Sequence, residues 1–129
     1  MIDVVAGIII DGNNVLIARR AAHKIFPGKW EFPGGKIEKS EKPESALRRE
    51  LKEEFDIKTK VNEHFKTVEY SYEDFDIRLI SYFAKYISGT FNLTDHDKIN
   101  WVEIPRLLDF DLAGADVPIA KGLMERHSN

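Results

Sequence analysis

The sequence predicts an α/β layered domain with a mixed β-sheet. Three features carry this: an unbroken aliphatic run from Val4 to Ile10, helical periodicity between Pro43 and Phe55, and an aromatic and β-branched run from Ile77 to Tyr86. Strands on both sides of a strong helix, with a second helical pattern at the end, fit helices packed on a sheet.

Val4 to Ile10 reads as a buried strand. Asp11-Gly12-Asn13-Asn14 is turn chemistry, and Val15 to Arg19 reads as the returning strand of a hairpin. The mixed segment Ala21 to Lys29, with Pro27-Gly28, reads as a loop, and Trp30-Glu31-Phe32 as a short extended piece stopped by Pro33-Gly34-Gly35. Pro43 suits the first turn of a helix to Phe55, on which Leu47 and Leu51 form a buried stripe. Val68 to Tyr72 and Ile77 to Tyr86 read as strands, the second broken by Gly89. Asn100 to Glu103 reads as a last short strand. Pro105 opens a helical turn, and Val117 to Arg126 a final helix.

The 129 residues suit one domain over 1–129, and 43% hydrophobic with 32% charged residues is an ordinary globular balance. A net charge of -3 gives no general attraction to duplex nucleic acid or an anionic membrane. The absence of cysteine excludes disulfides, thiolate metal sites and a cysteine nucleophile. The aliphatic run is too short to span a bilayer and lacks the pattern of a secretory leader, so a cytoplasmic protein is expected. Oligomeric state is not readable from these features.

The chemistry concentrates between Gly34 and Ile57. Glu50, Glu53 and Glu54 follow i, i+3, i+4 spacing and share one helical face beside Leu47 and Leu51. Carboxylates drawn towards a core are costly unless a cation compensates them, and Mg²⁺ takes oxygen ligands of this kind. A bare E-x-x-E-E more often marks a solvated acidic face, so its surroundings decide. Gly35, Glu41, Arg49, Glu50, Leu51, Glu53, Glu54 and Ile57 occupy the fixed positions of G-x₅-E-x₇-R-E-U-x-E-E-x-G-U, with U aliphatic. Asp56 replaces the last glycine, at a helix end where a left-handed residue is often needed. His23, His64, His96 and His127 share no ligand spacing and read as surface or hydrogen-bonding residues.

This motif is the Nudix box, and through it the chain resembles the Nudix superfamily. Val5-Ala6-Gly7-Ile8-Ile9, Ala18-Arg19-Arg20, Trp30 through Glu38 and Ala115-Asp116-Val117-Pro118-Ile119 look like its MutT branch and the related CTP pyrophosphohydrolases. The resemblance implies a Nudix α/β/α sandwich and Mg²⁺-dependent conversion of a (deoxy)nucleoside triphosphate to monophosphate and pyrophosphate, with Mn²⁺ as an alternative ion. It implies Glu50, Glu53, Glu54 and the Gly35 carbonyl as metal ligands, with Glu50 also the candidate base. Arg49 would hold a box glutamate, and Glu41 would anchor the loop. A further acidic ligand before the last strand would be Asp95, with Asp97 close behind; both also suit a turn.

Arg20 and Lys36 would contact phosphates, or be ordinary exposed cations. Phe32 would stack on the base, or belong to the core. Asp116 stands at the base-reading position, where the MutT type carries asparagine; it also suits the N-cap of the last helix. The implied role is nucleotide-pool sanitation on a small nucleotide, with 8-oxo-dGTP first and CTP or 5-methyl-dCTP next. Rivals are a non-hydrolytic nucleotide sensor and a hydrolase of ADP-ribose or another diphosphate conjugate.

Overall fold

The computed structural model describes residues 1–128; Asn129, the last residue of the expected domain, lies outside them. The strands are β1 (Ile2–Asp11), β2 (Asn14–Arg20), β3 (Trp30–Glu31), β4 (Gly34–Lys36), β5 (Lys58–Ser71), β6 (Asp76–Ser88) and β7 (His96–Glu103). Helix α1 (Pro43–Phe55) lies between β4 and β5. Two 3₁₀ turns, Ile104–Asp109 and Gly114–Asp116, lead into α2 (Val117–His127).

The expected hairpin is present but paired only at its tip, Ile10 with Val15 and Asp11 with Asn14. Beyond the tip the two strands part. β1 runs parallel to β6 and antiparallel to β4, while β5 pairs with the far side of β6. β2 lies between β7 and β3, antiparallel to both. The sheet is therefore mixed, as predicted.

The unbroken aliphatic run is explained by two cores. Val5 and Ile9 face one, Ala6 and Ile8 the other; in β2, Leu16 and Ala18 alternate with Val15 and Ile17. The first core takes Ala46, Leu47, Leu51 and Phe55 of α1, and the second takes Ile119, Ala120 and Leu123 of α2. The helices thus cover opposite faces, which makes the α/β/α sandwich.

Five strands exceed their sequence-based bounds, β1 and β2 by only one or two residues at each end. β5 begins at Lys58 rather than Val68 because its first part is an edge strand with exposed Lys58, Lys60, Glu63 and Lys66 and repeated register shifts, so no clean alternation shows. β6 extends to Ser88, beyond Tyr86. β7 begins at His96 rather than Asn100, paired there with Arg20. Among the described residues no helix is long and apolar enough to cross a membrane.

Candidate active site

Two glycines bring α1 against the sheet. A Cβ on Gly34 would lie 1.9 Å from the Val5 carbonyl oxygen, so only glycine permits the pairing of β4 with β1. A Cβ on Gly35 would lie 2.3 Å from Glu50 Cδ. The Glu50 side chain therefore rests on bare backbone and is 8% exposed. At the other end of α1, Asp56 has φ 57° and ψ 38°, the left-handed conformation that its position demands. Lys52 Nζ donates to Asp56 Oδ1 at 2.7 Å and offsets a charge unwelcome at a helix C-terminus.

Arg49 organises the loop and the helix together. Its Nε and Nη2 donate to both oxygens of Glu41 at 2.8 and 2.9 Å, and Nη2 also reaches the Lys36 carbonyl at 3.0 Å. Nη1 donates to Glu50 Oε1 at 2.8 Å and Glu53 Oε2 at 3.1 Å. Glu41 in turn accepts the Glu38 N–H. The Arg49 guanidinium is the main reason that the Glu41 carboxyl falls to about 2.

Helix α1 divides its carboxylates. Glu53 stays on the Arg49 side with its side chain 60% exposed. Glu50 and Glu54 face a cavity of about 590 Å³, and Asp95, just before β7, joins them there. Burial, then the hydrogen bond to Asp95 and the nearby Glu50 charge, push Glu54 up to about 9. Asp95 is held below its ordinary range by that same bond, so Glu54 carries the proton between them. Among the described residues no three His, Cys, Asp or Glu side chains are arranged to hold an ion as they stand. Arg49 engages both Glu50 and Glu53. The donor set still fits a hard divalent cation, since these acidic groups crowd one wall and a proton supplies the compensation a cation would. Asp97 is directed elsewhere, into an ion pair with Arg19 at 2.8 Å.

The same cavity is also walled by Val4, Phe32, Tyr72, Ile77 and Leu79, with Asp116 and Glu31 among them. Phe32 is 3% exposed and belongs to the core while lining the cavity. The helix-cap reading of Asp116 is corrected: it occupies the N-cap position of α2, but its side chain makes no capping hydrogen bond. Instead Asp116 Oδ2 accepts the Phe32 N–H at 2.8 Å. Burial first, and the Glu31 charge second, raise Asp116 well above the usual carboxylate range.

Arg20 lines the cavity already committed: Nε donates to the Ile25 carbonyl at 2.6 Å and Nη1 to both Glu31 oxygens at 3.1 and 3.2 Å. Lys36 lines it through an exposed side chain in no ion pair among the described residues. Sequence reasoning missed Glu31, His96 and Lys24. His96 is buried, with Nε2 2.7 Å from Glu31 Oε2, and Lys24 Nζ lies 3.7 Å from Asp95. Adjacency to Phe32 and to Asp95 was the available signal for the first two.

Residues 1–124 match the NUDIX domain family. The CTP pyrophosphohydrolase of Escherichia coli strain K12 is 35% identical over 124 residues, 96% of this chain and 92% of that protein. The 8-oxo-dGTP diphosphatase of Proteus vulgaris is 46% identical over 77 residues, 59% of this chain and 69% of its own length. The solution structure of the E. coli ORF135 protein superposes with a TM-score of 0.87 at 34% identity, covering 99% of this chain and 91% of that one.

Proposed function

The chain belongs to the NUDIX family, and from that premise we propose that it is a Mg²⁺-dependent nucleoside triphosphate pyrophosphohydrolase of the nucleotide pool. One observation carries the reading: a single cavity is lined both by Glu50, Glu54 and Asp95 and by an apolar wall of Val4, Phe32, Ile77 and Leu79 that includes Asp116. The acidic residues suit a cation and the phosphates it neutralises; the apolar wall suits a base.

Glu50, Glu54 and Asp95 would hold the cation, with Glu53 and the Gly35 carbonyl as the further ligands that the family pattern supplies. A divalent cation bound there contributes Lewis-acid neutralisation of the phosphate charge. Glu50 Oε1 is tied to Arg49, so Oε2 would be the oxygen that meets the cation, and the family pattern also makes Glu50 the candidate base for the attacking water. Lys36, in no ion pair among the described residues, is better placed than Arg20 to meet the phosphates; Arg20 would first have to release Glu31. Phe32 and its neighbours exclude water from the base.

The first candidate substrate is 8-oxo-dGTP. CTP is the second, favoured by one observation: the match to the CTP pyrophosphohydrolase runs over 124 residues, whereas the 77-residue match to the 8-oxo-dGTP diphosphatase is shorter than the span from Gly34 to Asp116. The test is incubation with 8-oxo-dGTP, dGTP, CTP, 5-methyl-dCTP and ADP-ribose in Mg²⁺, with nucleotide binding measured and all phosphate products identified. Nucleoside monophosphate with pyrophosphate is expected. Nucleoside diphosphate with orthophosphate, or turnover of ADP-ribose alone, would overturn the reading, and binding without turnover would support a sensor.

A further inference from the structure

His96 lines the cavity between Asp95 in the chain and Glu31 in space. It follows Asp95 directly, and its ring stacks on Phe55, the last residue of α1, at 4.9 Å and 28°. Its side chain is 1% exposed. A ring this buried could serve only as filler, but its two nitrogens differ. Nε2 lies 2.7 Å from Glu31 Oε2, and an ionised carboxylate only accepts, so the proton lies on Nε2 and is donated to Glu31. Nδ1 is buried with no hydrogen-bond partner among the described residues. Burying an orphaned nitrogen is unfavourable, and an apolar ring would avoid it. The contact that distinguishes this ring from a phenyl group is therefore the one to Glu31.

Glu31 is itself held from two sides. Arg20 reaches both its oxygens, and His96 takes one of them; strand register sets this up, because His96 pairs with Arg20 across β2 and β7 while Glu31 pairs with Ala18 across β2 and β3. The clamped carboxylate lines the same cavity as Asp116, and the next residue, Phe32, donates its N–H to Asp116.

We propose that His96 is a positioning residue for base selection: through Nε2–H it fixes the Glu31 carboxylate in the cavity wall. This rests on the nucleotide hydrolase reading above. Glu31 presents the acceptor to the base, and His96, whose ring also lines the cavity, decides with Arg20 where that acceptor stands.

The experiment measures kcat and KM for 8-oxo-dGTP and CTP with wild type, H96F, H96Q, H96N, E31Q and the H96F/E31Q double variant, with folding checked by circular dichroism. Phenylalanine keeps the stack and removes the donor. Glutamine carries an N–H at about the reach of Nε2, and asparagine does not. H96F and H96N should raise KM more than they lower kcat and move the ratio of kcat/KM for the two nucleotides by roughly tenfold, at unchanged Mg²⁺ dependence. H96Q should recover most of the wild-type ratio, and H96F should add nothing to E31Q. If H96F does not fold, the contrast between H96Q and H96N gives the decision. A wild-type ratio in H96N, or independent effects of H96F and E31Q, would overturn the proposal while leaving the hydrolase reading intact. A wild-type protein that turns over neither nucleotide, nor dGTP, overturns both.

Discussion

Asp116 and Phe32 stand 84 positions apart in the chain, yet the Asp116 carboxylate accepts the Phe32 main-chain N–H at 2.8 Å inside the protein. This bond ties the start of α2 to the residue that follows β3 and fixes an acid against the main chain of an aromatic residue in the cavity wall.

Replacing Asp116 by alanine leaves a buried N–H unpaired and should cost about 1–3 kcal/mol of stability as well as flattening the ranking of the four nucleotides. Asparagine keeps an acceptor for Phe32 and removes the ionisable group. Burial holds the folded-state pKa of Asp116 above its ordinary value. Its contribution is therefore complete below the ordinary carboxylate range near pH ~4 and is lost as pH rises through the folded value. D116N should gain stability relative to wild type as pH climbs above that range. Denaturant midpoints across pH test this; a gap that shrinks with rising pH contradicts it.

Glu54→Gln should separate stability from activity. The amide still donates to Asp95 but needs no proton uptake on folding, whereas the Glu54 carboxyl is pushed up to about 9 by burial and by Asp95 and Glu50. A higher metal-free Tm with nucleotide turnover lowered at least ~100-fold is expected. A lower Tm would mean that like charges do not crowd this wall.

Glu53→Gln should fold like wild type, since its side chain is 60% exposed and Arg49 keeps its bonds to Glu41 and Glu50. Turnover should fall at least ~100-fold because an amide is a poor substitute for a charged ligand. A folded variant with near-wild-type kcat at saturating Mg²⁺ would remove Glu53 from the metal site.

Glu41→Gln tests Arg49 as organiser. The folded Glu41 value, about 2, lies below the ordinary 4.5. The stabilisation is thus fully present above about pH 4.5 and disappears as pH falls through about 2. Wild type should exceed E41Q in stability at pH 7 and approach it near pH 2. An equal gap at both pH values would show that the ion pair is not its source.

Much of this architecture was legible in the residues. Pro43, Leu47 and Leu51 marked α1 from its first residue to its last. The box spacing led to Arg49 with its glutamates, and Asp95 reached the cavity. The start of β5 was hidden because an exposed, bulged edge leaves no alternation. Glu31 and His96 were hidden for another reason. Each is unremarkable beside its own neighbours, and only the register of β3 and β7 on β2 brings them together with Arg20.

The parting of β1 from β2 bears on how the chain comes off the ribosome. The tip of the hairpin needs only neighbouring residues, but most of β1 bonds in parallel to β6, whose first residue is Asp76. An aliphatic segment from Val4 to Ile10 therefore emerges long before the strand that completes its hydrogen bonding has been synthesised. Slow pairing across such a distance leaves a sticky, half-formed edge exposed during translation. Until β6 is made, that segment lacks its main pairing partner, and coexpression with a chaperone is expected to raise the soluble yield.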